Sequence, residues 1–128
     1  MLAVNIEKET IKNKNYRKII YTDKYQQIVL MSLNHGEYIH NEKHKATQFF
    51  RIESGNGYAE IKVSGNTKLS DNISSIKKII LKDGMSLSVP PNTFHKIVNT
   101  DTKPLKLYTI YSPPVHDITD FDKRQPVE

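Results

Sequence analysis

Two histidines, a glutamate and a glutamine are the residues of this sequence best suited to metal chemistry. Glu42, His44 and Gln48 lie close together, and His95 lies far downstream. Residues i and i+2 of a strand point to the same face, so we expect Glu42 and His44 to project side by side. Two imidazole nitrogens, a carboxylate and an amide oxygen suit a divalent first-row metal. These residues therefore predict one metal site, for Zn, Fe, Mn or Ni.

Short β-strands must position these four side chains. Gln48 begins a run in which Phe50 and Ile52 occupy the alternate positions, so its side chain is expected to face an apolar interior. His95 shares a strand face with Ile97 in the same way. We therefore expect Gln48 and His95 to lie inside a barrel.

The whole chain has a β-rich pattern without sustained helical periodicity. Turn signals such as Asp83-Gly84 separate the runs, which predicts an all-β sandwich or barrel. We expect an N-terminal arm (1–15, a short helix or extended), a barrel domain (16–116), and a loose tail (117–128). Residues 64–75, from Ser64 to Ser75, are interpreted as a polar excursion at a hairpin tip. The predicted β-runs are 17–22, 25–33, 47–53, 57–63, 76–82, 85–89, 93–99 and 105–111.

Composition excludes several classes of protein. The 128 residues suit one domain, and 19 basic against 14 acidic residues leave a net charge of +5. The absence of cysteine excludes disulfides and thiolate metal sites. The central apolar run, Ile28-Val29-Leu30-Met31, is too short to cross a membrane, and the polar sequence after Val4 gives no signal peptide. We expect a soluble cytoplasmic protein without a membrane partner.

The glycines and proline around the four candidate ligands have the spacing of two known motifs. Gly36, Glu42, His44, Gln48 and Gly55 are separated by five, one, three and six residues, which resembles the first cupin motif. A second group of residues resembles the second cupin motif, with separations of five, one, two and three residues. Its members are Gly84, Pro90, Asn92, His95 and Asn99.

Further segments are similar to the small single-domain cupins described as mannose-6-phosphate isomerase-like. They include Glu42-Lys43-His44, Thr93-Phe94-His95 and residues 104–114, and the resemblance covers about residues 5–116. It implies a β-barrel (jelly-roll) of two packed sheets, usually dimeric, with the metal inside.

The resemblance also implies a role for each candidate ligand. Glu42 stands where many cupins have their first histidine and His44 at the second, while Gln48 replaces the usual glutamate and His95 matches the last histidine. The sequence departs from the subfamily at Thr47, where an acid is common, and at Asn92, which replaces a turn glycine. Asparagine tolerates the left-handed backbone region, so the turn is expected to form.

Three functions remain open from the sequence. The first is a metal-binding cupin acting on or binding a sugar-like or carbonyl small molecule, with isomerase and dioxygenase chemistry both open and Glu42 as the proton-moving group. The second is a non-catalytic ligand-binding or structural homodimer with a vestigial metal site. Nucleic-acid binding ranks last, because the basic residues are scattered.

Other polar and aromatic residues are given plainer roles. His40 is expected to be solvated at the barrel rim rather than to be a fifth ligand, and His35 and His116 are expected at the surface. Arg51 alternates with the inward residues of its run and should lie outside. Residues 25–33 are apolar on both faces, and Phe94 with Val98 forms a second outward apolar pair, so we expect a homodimer.

Overall fold

The computed structural model describes residues 1–64 and 74–119. Within these residues it has one short helix and nine strands, which confirms the predicted all-β class. The elements are α1 (Ile6–Lys12), β1 (Lys18–Thr22), β2 (Gln27–Leu33), β3 (Tyr38–Glu42), β4 (Thr47–Ser54), β5 (Asn56–Ser64), β6 (Ser74–Lys82), β7 (Ser86–Val89), β8 (His95–Asn99) and β9 (Leu105–Ser112).

The strands form two antiparallel sheets that pack face to face. The five-stranded sheet has the order β1-β2-β9-β4-β7, and the four-stranded sheet has the order β3-β8-β5-β6. Strands far apart in sequence are therefore neighbours, as in a jelly-roll. This topology brings β4 and β8, which carry two of the candidate ligands, to facing sheets.

Alternation of buried and partly exposed residues along β9 and β4 builds much of the core. In β9 the even-spaced residues Leu105, Leu107, Thr109 and Tyr111 are all buried, while the residues between them are partly exposed. In β4, Gln48, Phe50 and Ile52 are buried in the same way. Burial of the apolar members of these rows is the main force that holds the two sheets together.

Helix α1 covers the outer face of the five-stranded sheet. Asn5 caps its first turn, since its Oδ1 accepts a hydrogen bond from the Lys8 N–H at 3.0 Å. The helix contacts β2, β4 and β9. Lys106 of β9 donates from Nζ to the Asn13 carbonyl at the end of the helix. The N-terminal segment is therefore packed onto the barrel.

This helix changes the interpretation of the two-faced strand β2. Its outward residues Leu30 and Ser32 are each only 1% exposed, and β2 lies between β1 and β9. Of the second apolar pair, Val98 is also buried while Phe94 is 36% exposed. An intrachain helix, rather than a second copy, thus accounts for the main observation behind the expected homodimer. The homodimer itself stays a prediction.

The described residues do not test several predictions about the limits of segments within the chain. The excursion at 64–75 falls almost entirely outside them, and the division into arm, barrel and tail stays a prediction. No helix in the described part of the chain has the length and apolar character needed to cross a membrane.

Candidate functional site

Gln48 is a fully buried candidate ligand whose side chain is held by a neighbouring strand. It is 0% exposed and lies in the inner row of the five-stranded sheet, paired with Tyr111 of β9 on one side and Val89 of β7 on the other. Its amide nitrogen donates to the hydroxyl of Thr109 at 2.9 Å. That bond orients the amide so that Oε1 points toward His44.

His44 reaches Gln48 from a loop rather than from a strand. Nε2 of His44 is 2.8 Å from Oε1 of Gln48. Nδ1 of His44 is buried and has no hydrogen-bond partner among the described residues. Strand β3 ends at Glu42, so the alternation argument for pairing Glu42 with His44 does not apply.

The backbone at Asn92 supports His44. Asn92 has φ of +58°, and its N–H donates to the His44 carbonyl at 2.7 Å. The predicted tolerance of asparagine for the left-handed region is confirmed at this turn.

His95 faces His44 from the opposite sheet. It is 0% exposed, on the same inward face as Ile97, as predicted. Its Nδ1 lies 2.9 Å from the carbonyl oxygen of Thr93. Because a carbonyl can only accept, Nδ1 carries the proton and the lone pair of the neutral ring is on Nε2. The rings of His44 and His95 are 5.4 Å apart at 80°.

Glu42 is close to this cluster in backbone register. Its Cα is paired with that of His95, after an irregularity in β3 between Ile39 and Glu42. Its side chain lies outside what the structure describes, so its part in the site stays a prediction. Among the described residues, no three His, Asp or Glu side chains gather into a metal-sized group. The described donors are thus two imidazoles and one amide oxygen.

The sequence alone assigned no role to Thr109, which lies beside the candidate ligands. Thr109 holds the Gln48 amide, and its inward position in β9 could have been read from the alternation with Leu107. The Tyr111 ring packs 5.5 Å from that of His44, and its hydroxyl is 3.0 Å from Nε2 of His116. His116, expected at the surface, is half-buried rather than fully exposed. The buried side chain of Gln27 holds it there by three hydrogen bonds to the backbone of residues 115–116.

The remaining predictions concern which side chains around the site face solvent and which face the barrel interior. His35 and His40 are exposed, as expected. Arg51 lies on the outer face, where its Nε is 3.0 Å from the Glu53 carboxylate. Phe50 packs against His95 at 5.8 Å inside the barrel, whereas Phe94 is on the outside.

Comparison with known proteins identifies the family. The family model described as the cupin domain matches residues 29–111, and the chain belongs to the cupin family. It is 42% identical over 126 residues to the uncharacterized protein L612 of Acanthamoeba polyphaga mimivirus, covering 97% of this chain and 72% of that protein.

Two further proteins are similar to this chain over most of its length. The uncharacterized protein YrkC of Bacillus subtilis (strain 168) is 40% identical over 115 residues, which cover 89% of this chain but only 58% of YrkC. The crystal structure of BH2720 from Bacillus halodurans superposes with a TM-score of 0.75 at 35% identity, covering 91% of this chain and 83% of that one. Membership of the family supports a role in binding small molecules.

Proposed function

We propose that this cupin binds one divalent transition-metal ion through His44, Gln48 and His95, with Glu42 as a further ligand, and that the site binds or transforms a small sugar-like or carbonyl compound. One observation carries the proposal: Nε2 of His44 and Oε1 of Gln48 are 2.8 Å apart beside the buried His95 ring. Two ligand atoms that bind one ion at about 2.1 Å and at right angles are about 3 Å apart, close to that spacing.

The hydrogen bonds around the three side chains suit metal ligands. Nδ1–H of His95 is tied to the Thr93 carbonyl, which is the usual outer bond of a histidine that binds metal through Nε2. Thr109 holds the Gln48 amide with its oxygen toward His44. A neutral imidazole can carry its proton on either nitrogen, so His44 can present Nε2 when the proton moves to Nδ1.

The chemistry follows from the donor set and its surroundings. A bound divalent ion would polarise a carbonyl oxygen of the ligand as a Lewis acid. Phe50 packs against His95 on the inner side of the site, and Tyr111 packs against His44. Glu42 is proposed as the group that moves a proton on the ligand.

A vestigial site is the alternative, and one observation favours it. The His44 Nε2 to Gln48 Oε1 hydrogen bond satisfies both groups without an ion. In that case the barrel binds a small molecule without metal chemistry.

Removal of the two histidines tests the proposal. The variant His44→Ala/His95→Ala is compared with His35→Ala/His40→Ala, which removes two exposed histidines and is the matched control. Untagged proteins are analysed for bound metal by mass spectrometry of the elements and are then titrated calorimetrically with Zn²⁺, Mn²⁺, Ni²⁺ and anaerobic Fe²⁺.

We expect about one ion per chain in the wild type and in the control, and loss of that ion in His44→Ala/His95→Ala with the circular dichroism spectrum unchanged. Equal metal binding by both double variants would show that the assigned ligands are wrong. A wild-type protein that binds none of the four metals would establish the vestigial alternative.

A further inference from the structure

A second polar site lies at the rim of the barrel, outside the histidine pair. A cavity of about 450 Å³ opens between the end of β5 and the turn that precedes β8. Its lining includes two lysines, Lys43 and Lys62, and the ring of Phe94. Nothing in the proposed metal chemistry uses these residues.

Two ammonium groups lie near the same aromatic ring. Nζ of Lys43 and Nζ of Lys62 are each 5.5 Å from the centroid of the Phe94 ring. Neither lysine forms an ion pair with a carboxylate in the described part of the chain. The ring attracts each cation, and both lysines belong to the lining of the first cavity. An anion bound in this cavity would be attracted by both positive charges.

An adjoining cavity extends the positive charge. It has a volume of about 250 Å³, shares Lys62 and Phe94 with the first, and adds Lys96. Glu60 is the single carboxylate among the described residues that line the two cavities. Three lysines against one glutamate give this region a local excess of positive charge that favours an anionic ligand.

The apolar part of the lining favours an organic anion. Val63, Pro90 and the face of Phe94 line the first cavity beside the lysines. Apolar atoms of a ligand would lose contact with water against these groups. The cavity therefore offers charge for an acidic group and an apolar wall for the carbon skeleton that bears it.

The wall of this cavity also supports the two histidines. Asn92 and Thr93 line the cavity. The Asn92 N–H donates to the His44 carbonyl, and the Thr93 carbonyl accepts from Nδ1 of His95. A ligand that contacts this turn would thus bind directly beside the backbone that positions both imidazoles.

We propose that the rim cavity binds the acidic group, phosphate or carboxylate, of a small organic anion between Lys43 and Lys62. The proposal goes beyond the proposed metal chemistry and does not require an ion in the barrel.

The test is an NMR titration of the full-length, chelator-treated protein with inorganic phosphate and, separately, with benzoate at constant ionic strength. The first probe supplies the charge alone, and the second supplies a carboxylate with an apolar ring. The variant Lys43→Gln/Lys62→Gln is compared with Lys18→Gln/Lys24→Gln, which removes the same charge from exposed positions around β1.

We expect saturable shifts at the amides of Lys43, Lys62 and Phe94, and at least tenfold weaker binding in Lys43→Gln/Lys62→Gln. The control should change affinity by less than twofold. Saturation with either probe would support the proposal, and saturation with phosphate alone would show that the charge suffices without the apolar wall. Shifts that do not saturate with either probe, or equal weakening in both double variants, would overturn the proposal. Because neither variant touches the barrel histidines, the outcome is independent of the metal test.

Discussion

The two ends of strand β8 are equally buried but hold their polar side chains in different ways. At one end, Asn99 donates through Nδ2 to the carbonyls of Leu33 and Lys103, both at 2.9 Å, and accepts from the Asp101 N–H at 2.9 Å. At the other end, Nδ1 of His95 donates to the Thr93 backbone carbonyl, and its ring faces that of His44.

This difference distinguishes a polar residue that stabilises the fold from one that is available to bind a ligand. The partners of Asn99 are backbone groups, which cannot move without unfolding the adjoining loops. The ring of His95, by contrast, also faces the side chain of His44, whose exchangeable proton and lone pair can rearrange around a ligand. Burial alone therefore does not distinguish the two roles; the nature of the partners does.

The same contrast extends across the five-stranded sheet. At the level of His95 the inner row contains Gln48 and Tyr111, which are register partners. Further along the same strands the register pair is Ile52 and Leu107, both fully buried and apolar. One end of the barrel stabilises the fold through apolar packing, and the other end carries the candidate metal-ligand atoms. The following substitutions test that division.

The largest effect is expected at the apolar end. Leu107→Ala should lower the free energy of unfolding by about 2–5 kcal/mol, because it leaves a cavity in a tightly packed core. Ile118→Ala, at a position that is 70% exposed, is the control and should change it by less than about 0.5 kcal/mol. Urea unfolding followed by circular dichroism measures both. A loss below about 1 kcal/mol for Leu107→Ala would contradict a packed apolar end.

The second effect tests the structural end of β8. Asn99→Ala should cost about 1–3 kcal/mol of unfolding free energy, because buried backbone groups lose their partners. Metal affinity, measured by calorimetry on the folded variant, should stay within twofold of the wild type. A large loss of metal affinity would mean that the two ends of the strand are not independent.

A smaller effect on stability, with a specific effect on binding, is expected at Thr109. Thr109→Val removes the hydroxyl that accepts from the Gln48 amide and should cost about 1 kcal/mol of stability. If Gln48 is a ligand, metal affinity should fall about tenfold or more, since outer partners orient ligands. Thr109→Ser keeps the hydroxyl and should restore most of the affinity. Unchanged affinity in Thr109→Val would remove Gln48 from the ligand set.

The smallest effect concerns a carboxyl group outside the barrel. Burial raises the pKa of Glu53 above its ordinary value of 4.5, although the Arg51 guanidinium beside it acts in the opposite direction. Because the folded-state pKa is raised, the stability that protonated Glu53 contributes is fully present when the pH is below the ordinary pKa. It is lost as the pH rises through the folded-state pKa. Glu53→Gln should therefore gain stability relative to the wild type as pH rises from about 4 to 7.

Thermal unfolding at several pH values checks this expectation. The difference between Glu53→Gln and the wild type should grow across that interval and then level off. A difference that shrinks as pH rises would mean that the ion pair with Arg51 outweighs the effect of burial.

The sequence by itself predicted eight of the nine strands among the described residues, all except β3, and most of the turns. The predicted run 47–53 agrees with β4, and the run 105–111 agrees with β9, to within one residue at each end. Period-two alternation is a local property, so it also predicted that Gln48 and His95 face inward. The left-handed backbone at Asn92 was predictable for the same reason, since it depends on the residue type and its turn.

Only the tertiary structure decided how these elements meet. The Gln48 amide is oriented by a residue 61 positions away, and His116 is held by Gln27 across 89 positions. The covering of β2 by α1 and the approach of His44 from a loop are also long-range results. A local pattern specifies which face of a strand is apolar, but the partner of each polar atom depends on which distant strands pair and in what register.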